Sequence, residues 1–224
     1  MANPKTKNAD TGKAKAPKSV FREYAEAIVI AFLLAMFIRT FIVQAFKIPS
    51  GSMETTLLIG DHILVTKYSY GIHIPNEILL IGTQLFRDIV LFQEVPERGD
   101  IIVFKFPRDE KRDFIKRVIG LPGEILEVRR QKVFINGKPF DDPYARHTKP
   151  PPDEPFFPRD DFGPVRVPEG HVFVMGDNRE NSEDSRFWGF LDINKIRGKA
   201  RFIYWSWNGP ERSVRFDRFG KVLE

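Results

Sequence analysis

The sequence contains no cysteine and only four histidines among its 224 residues. Without thiols there is no disulfide scaffold, no cysteine-ligated zinc or iron–sulfur site and no thiol nucleophile. Apolar runs are short: the longest, Ala27 to Ile38, has 12 residues. Beyond it no amphipathic pattern of helical length recurs, which speaks against a βαβ series. A basic surface on the body is missing as well. The formal charge is +5, from 35 Lys+Arg and 30 Asp+Glu. Residues 1–23 hold six basic and two acidic groups, Glu26 and Arg39 cancel, and residues 47–224 hold 28 basic and 27 acidic groups. The excess belongs to a tail, so the body gives no reason to expect nucleic acid as a partner. What is plentiful is core material. Hydrophobic residues make up 42% of the chain, with 21 Phe, which excludes general disorder.

Residues 1–22 read as a disordered basic tail, rich in Lys, Ala, Thr and Pro. Around the 12-residue run, the stretch Tyr24 to Phe46 is interrupted only by Glu26, Arg39, Thr40 and Gln44. Most interruptions fall near its ends, where polar side chains reach an interface. Its 23 residues as a helix span roughly 34 Å, enough for a bilayer core. Residues 23–46 are therefore expected to be a single transmembrane helix. Lys5, Lys7, Lys13, Lys15, Lys18 and Arg22 precede it, which keeps the N-terminus cytoplasmic and sends the body across the membrane. The bulky stretch Phe41-Ile42-Val43-Gln44-Ala45-Phe46 offers no small-x-small cleavage site, so the segment reads as an uncleaved signal anchor.

From residue 47 onward the pattern changes to short apolar segments bounded by turn residues. Strands are expected at 61–67, 100–106, 112–119, 125–128, 132–135, 171–175 and 199–205. Asn136-Gly137 is the strongest hairpin signal. These segments predict a mainly β body, barrel-like or a sandwich, over residues 47–224. Residues 139–168 carry nine prolines and read as a rigid, irregular excursion; residues 72–95 are ambiguous between strand, short helix and interfacial patch.

Three clusters could carry chemistry. In Ile48-Pro49-Ser50-Gly51-Ser52-Met53 two hydroxyls flank a glycine, so one could attack a carbonyl while the other stands beside the developing oxyanion. Such a nucleophile needs a base, and His62, His73, His147 and His171 lie in no distinctive pattern. A desolvated lysine is the other route, since burial disfavours the ammonium. Lys67, Lys105 and Lys116 lie in or beside apolar strands, and spacing alone does not choose among them. The third cluster, Met175 to Gly189, packs acids, arginines, Asn and Ser after a strand. Its oxygens do not follow the calcium-loop pattern, and Arg179 and Arg186 oppose a cation, so it reads as an ion-paired platform rather than a metal site. No cofactor is implied.

Together these clusters resemble the bacterial type I signal peptidases, or leader peptidases. The resemblance rests on Ile48 to Asp61, on Arg98-Gly99-Asp100-Ile101 through Pro107, on Phe114 to Glu124, and on Gly176-Asp177-Asn178-Arg179 through Trp188-Gly189, in that order over roughly residues 20–210. It implies Ser52 as nucleophile and Lys116 as general base. Ser50 and the Ser52 N–H would form the oxyanion hole, and Ser182 would orient the lysine amine. Asp177 with Arg117, and Asp184 with Arg186, would be structural ion pairs. Ile48, Met53, Leu57, Phe114 and Ile115 would line shallow apolar subsites for small residues. Its implied partners are signal-peptide-bearing pre-proteins, the phospholipid bilayer and the export machinery, at the bacterial inner membrane with the catalytic domain on the outer face. Two rivals remain at this stage: another Ser–Lys protease such as a self-cleaving repressor, and a membrane-anchored β-domain that binds extracytoplasmic peptides without catalysis.

Overall fold

The computed structural model describes residues 20–74, 89–148 and 157–223. The expected basic tail, apart from its last residues, lies outside them, as do residues 75–88 and 149–156 of the two ambiguous stretches.

The chain divides into two units, residues 1–37 and 38–224. The described part of the first is helix α1 (Val20–Phe37). Its apolar side chains are exposed on every side, and its charged residues, Arg22, Glu23 and Glu26, lie in its first two turns. Arg22 donates to Glu26 one turn on, at 3.0 Å. A helical stretch continues through Ile42, and among the described residues Val20–Ile42 is the one segment long and apolar enough to cross a membrane.

The second unit is mainly β. Its strands are β1 (Val43–Lys47), β2 (Asp61–Thr66), β3 (Ile72–Ile74), β4 (Ile89–Leu91), β5 (Ile101–Phe106), β6 (Asp109–Gly120) and β7 (Ile125–Arg129). There follow β8 (Lys132–Ile135), β9 (Lys138–Pro139), β10 (Phe162–Arg166), β11 (His171–Met175), β12 (Leu191–Asp192), β13 (Ile196–Asn208) and β14 (Ser213–Val214). The largest sheet runs β1-β2-β13-β5-β6-β11-β12, with β14 on β13; a second runs β10-β7-β8-β9, and β3 pairs β4. All pairings are antiparallel. The large sheet is an open path from β1 to β12, so the barrel-like expectation reduces to extended antiparallel sheets, none of them closed among the described residues.

Local chemistry accounts for several elements. Asn136 and Gly137 both take positive φ, 52° and 77°, the conformation that closes a two-residue hairpin between Ile135 and its partner Lys138. β5 is buried at every position because Ile101 and Val103 join one core cluster and Ile102 and Phe104 another, so its sequence, Lys105 apart, is apolar without alternation. β6 is exposed over its first half and buried from Ile115 to Gly120, where β5 and β11 pair with it from both sides. The helix gives way earlier than residue 46: Val43–Lys47 pairs with His62–Thr66 as a strand. Within the proline-rich excursion the structure also contains a strand, β10, at the edge of its sheet, where Pro164 removes no ladder bond that the sheet needs.

Candidate active site

The segment after β1 carries Ser50 and Ser52 through a tight turn. Met53 and Leu57, one helical turn apart, are fully buried in a core cluster with Ile48, Ile63, Val65 and Ile101. Leu57 N–H donates to Met53 O at 2.8 Å, so both side chains face the core and Ser52 is fixed at the start of the turn. Ser52 is 7% exposed. Ser50 is exposed, and neither its hydroxyl nor the Ser52 N–H is bonded to another described residue.

Lys116 enters from the buried half of β6 and is 4% exposed. Its Nζ lies 2.8 Å from Ser52 Oγ and donates to Ile115 O at 3.0 Å. The second bond directs one N–H away from Ser52, so a neutral amine has a lone pair for the serine proton. Burial pushes the Lys116 ammonium down to about 8, opposed by the carboxylates of Asp184, Glu183 and Asp177. Lys105 is also buried, in β5, and Lys67 follows β2, where its Nζ donates to Thr40 O at 3.3 Å; neither contacts Ser52. The Phe114 ring centre is 5.3 Å from Lys116 Nζ.

The platform after β11 surrounds this pair. Arg117 Nε and Nη2 donate to the two oxygens of Asp177, each at 2.9 Å, and both side chains are buried. Arg186 Nε and Nη2 donate to the two oxygens of Asp184, also at 2.9 Å. Burial presses the Asp184 carboxyl upward, but Arg186, the nearby Ser182 hydroxyl and the Gly176 N–H hold it below the usual carboxylate range. Ser182 Oγ is buried, makes no hydrogen bond of standard geometry and is not bonded to the Lys116 amine. The amine's other hydrogen bond goes to the Ile115 carbonyl. Of the five apolar subsite candidates, Ile48, Met53, Leu57 and Ile115 belong to the core cluster behind the nucleophile; Phe114 alone is half-buried and packs against a second cluster. Among the described residues no group of three His, Asp or Glu could hold a metal ion.

Three residues escaped the reading of the sequence. Thr56 Oγ1 donates to Asp177 Oδ2 at 2.6 Å and ties the turn that carries Ser52 to the platform. Asn178 donates to the carbonyls of Gly51 and Ser52. At Gly176 an added Cβ would stand 2.3 Å from Ser182 Oγ and 2.5 Å from Ser52 O, so only hydrogen fits there. Gly176→Ala is expected to displace Ser52 and lower kcat about tenfold or more, since a misplacement near 1 Å can cost a hundredfold. Steady-state kinetics on the purified variant measures this; an unchanged kcat would show that the turn gives way without moving the hydroxyl.

A mainly β domain presenting a serine hydroxyl to a buried amine, preceded by one long apolar helix, defines the class of membrane-associated serine endopeptidases. The chain belongs to the signal peptidase family, peptidase S26, whose family model matches residues 21–205. It is 38% identical over 199 residues to the protein named Probable signal peptidase I-2 of Synechocystis sp., covering 86% of this chain and 77% of that one. It is 37% identical over 204 residues to signal peptidase I of Leptolyngbya laminosa, covering 87% and 86%. Signal peptidase I of Pseudomonas fluorescens is 33% identical over 235 residues, covering 89% and 78%.

Proposed function

We propose that the chain removes N-terminal signal peptides from exported pre-proteins with a Ser52–Lys116 dyad, cutting after small residues. The observation that carries this reading is the 2.8 Å contact between Ser52 Oγ and a Lys116 amine whose ammonium is destabilised by burial. An extended pre-protein segment adds to the sheet edge beside the nucleophile through backbone hydrogen bonds. Neutral Lys116 takes the Ser52 proton as Oγ attacks the scissile carbonyl, and the tetrahedral oxyanion accepts hydrogen bonds from the Ser50 hydroxyl and the Ser52 N–H. The lysine then protonates the leaving amine, and water activated by the same amine releases the acyl group. Ser182, whose buried hydroxyl has no hydrogen-bond partner of standard geometry, is the residue that orients the lysine amine in this reading. The Asp177–Arg117 and Asp184–Arg186 pairs hold the platform.

In the same reading residues 1–22 form a cytoplasmic tail, the apolar segment from residue 23 anchors the chain in the inner membrane, and the β unit works on the outer face. The lysines before the helix support that orientation. A catalytic serine ten residues beyond Ile42 also suits a substrate whose own apolar helix is in the bilayer. The test is a pre-protein with an Ala-x-Ala cleavage sequence, incubated with the full chain in detergent. The expected product begins directly after the second alanine, and Ser52→Ala leaves the precursor intact. Product from the Ser52→Ala variant would overturn the dyad.

The lysine sets the pH dependence. The free amine is the active form, and its conjugate acid loses its proton near pH 8. Below that point the active fraction falls tenfold per pH unit, to about 1% at pH 6. Thus kcat/KM is expected to rise about fiftyfold from pH 6 to 8, to gain about a further twofold above pH 8, and to level near pH 9. A profile flat across that range would rule out Lys116 as the base.

A further inference from the structure

We propose that Asn178 is the positioning residue for the oxyanion donor, and that the segment 142–148, at the start of the proline-rich excursion, is the brace that holds it. This rests on the reading of Ser52 as nucleophile and assigns a role to residues that the reaction scheme leaves unused.

Asn178 is 5% exposed and grips the nucleophile's backbone twice. Its Nδ2 donates to Gly51 O and its own N–H donates to Ser52 O, both at 3.1 Å. The Gly51–Ser52 peptide is not among the cis bonds of the chain, so it is planar and trans. In a trans peptide the C=O and N–H point to opposite sides. Anchoring the Gly51 oxygen therefore aims the Ser52 N–H away from Asn178, and that N–H meets no acceptor in the described residues. It is a donor held in place with nothing to donate to, which is the requirement for a site that binds charge only as it develops.

Asn178 is itself gripped from behind. Arg146 N–H donates to Asp177 O at 2.7 Å, and Arg179 N–H donates to Arg146 O at 3.1 Å, so the peptides on both sides of Asn178 are bonded to one residue of the brace. Around this bridge, the buried Asp142 carboxylate accepts from Arg179 Nη2. The Tyr144 ring lies under the Arg117 guanidinium, 3.6 Å from ring centre to Cζ. Thr148 donates both its N–H, at 2.7 Å, and its hydroxyl to Glu180. Asp142, Arg146 and Thr148 thus bind residues 177–180 at three points, and the side chain of that stretch that reaches the Gly51 carbonyl is Asn178. Gly51 O also accepts the Glu54 N–H at 3.2 Å, a bond that survives without Asn178. Removing Asn178 should therefore loosen the donor, not delete it.

The test uses the full chain in detergent with the Ala-x-Ala pre-protein. Asn178→Ala is expected to lower kcat by about ten- to a hundredfold, short of the roughly 10²–10³-fold cost of deleting a donor outright, with KM within about twofold. A peptide aldehyde ending at the residue before the cut carries the oxyanion in its hemiacetal with Ser52, and its affinity should fall by the same factor. The acid limb of the pH profile should stay in place, because Lys116 is untouched. Asp142→Ala, which takes the carboxylate partner from Arg179 beside Asn178, should give the same signature at about threefold. Wild-type kcat in Asn178→Ala, a rise in KM alone, a shifted pH limb, or loss of folding in both variants would each overturn the proposal. Persisting activity in Ser52→Ala would instead remove the dyad beneath it; a dead Ser52→Ala beside a fully active Asn178→Ala removes only this inference.

Discussion

Lys116→Ala is expected to lower pre-protein cleavage by roughly 10⁴-fold or more, as does Ser52→Ala, because members of a unit that acts together are each nearly indispensable. The two should not multiply. Once the amine is gone, the hydroxyl has no acceptor within reach; once the hydroxyl is gone, the amine has nothing to activate. The double variant is expected to match either single one. Lys105 supplies the control. It is as deeply buried, 3% exposed against 4%, and also sits in an internal strand, so any generic cost of losing a buried lysine appears there too. Lys105→Ala should keep activity per folded molecule within a few-fold, since Lys105 does not touch Ser52. Equal losses at Lys105 and Lys116 would mean that the assay reads folding, and a Lys116 variant with near-normal turnover would end the mechanism.

Asp177→Ala carries the largest expected loss of stability. The Arg117–Asp177 pair is almost wholly removed from water, at 1% and 0% side-chain exposure, and Asp177 also accepts from Thr56. Burying two charges is costly in itself, so the pair is weakly favourable at best; breaking it takes the bidentate carboxylate from a buried guanidinium and costs about 3–5 kcal/mol. Arg117 still donates to the Gly99 carbonyl at 2.7 Å and lies over the face of Tyr144, but neither carries a compensating charge. For a chain of this size the midpoint of thermal unfolding should drop by roughly 6–20 °C. Thermal melting of the purified variant in detergent measures it. A drop of under about 2 °C would show that water reaches Arg117 once its partner is gone. Asp177→Asn keeps the shape and an acceptor for Thr56 but not the charge, and should fall between wild type and alanine.

Strand positions were legible because burial on one or both faces leaves a direct mark on composition. β5, apolar at every position but Lys105, and the Asn136-Gly137 turn are the clearest cases. The end of the apolar N-terminal segment was not. Val43, Ala45 and Phe46 suit a bilayer and a strand equally well, and only the presence of β2 alongside makes them β1. Prolines in residues 139–168 masked β10, since an edge strand tolerates them. Asn178 lay within the recognised Gly176-Asp177-Asn178-Arg179 motif, but nothing in the sequence assigned it a role. It looks like one more polar residue in a polar loop until Gly51, 127 residues earlier in the chain, is seen opposite it.

The sequence alone determined that attack could not come from a thiol, which leaves a hydroxyl as the natural route, that the body is mainly β, and that one apolar segment precedes it. Composition and local periodicity are enough for such conclusions, because they report what each short segment can bury. Tertiary structure decided which lysine meets which serine. Ser52 and Lys116 are 64 residues apart, and their 2.8 Å contact exists because the turn after β1 and the inner half of β6 pack together. The same packing strips water from the amine and pulls its proton affinity down to about 8. Proximity and desolvation belong to the assembled fold, and no segment carries either by itself.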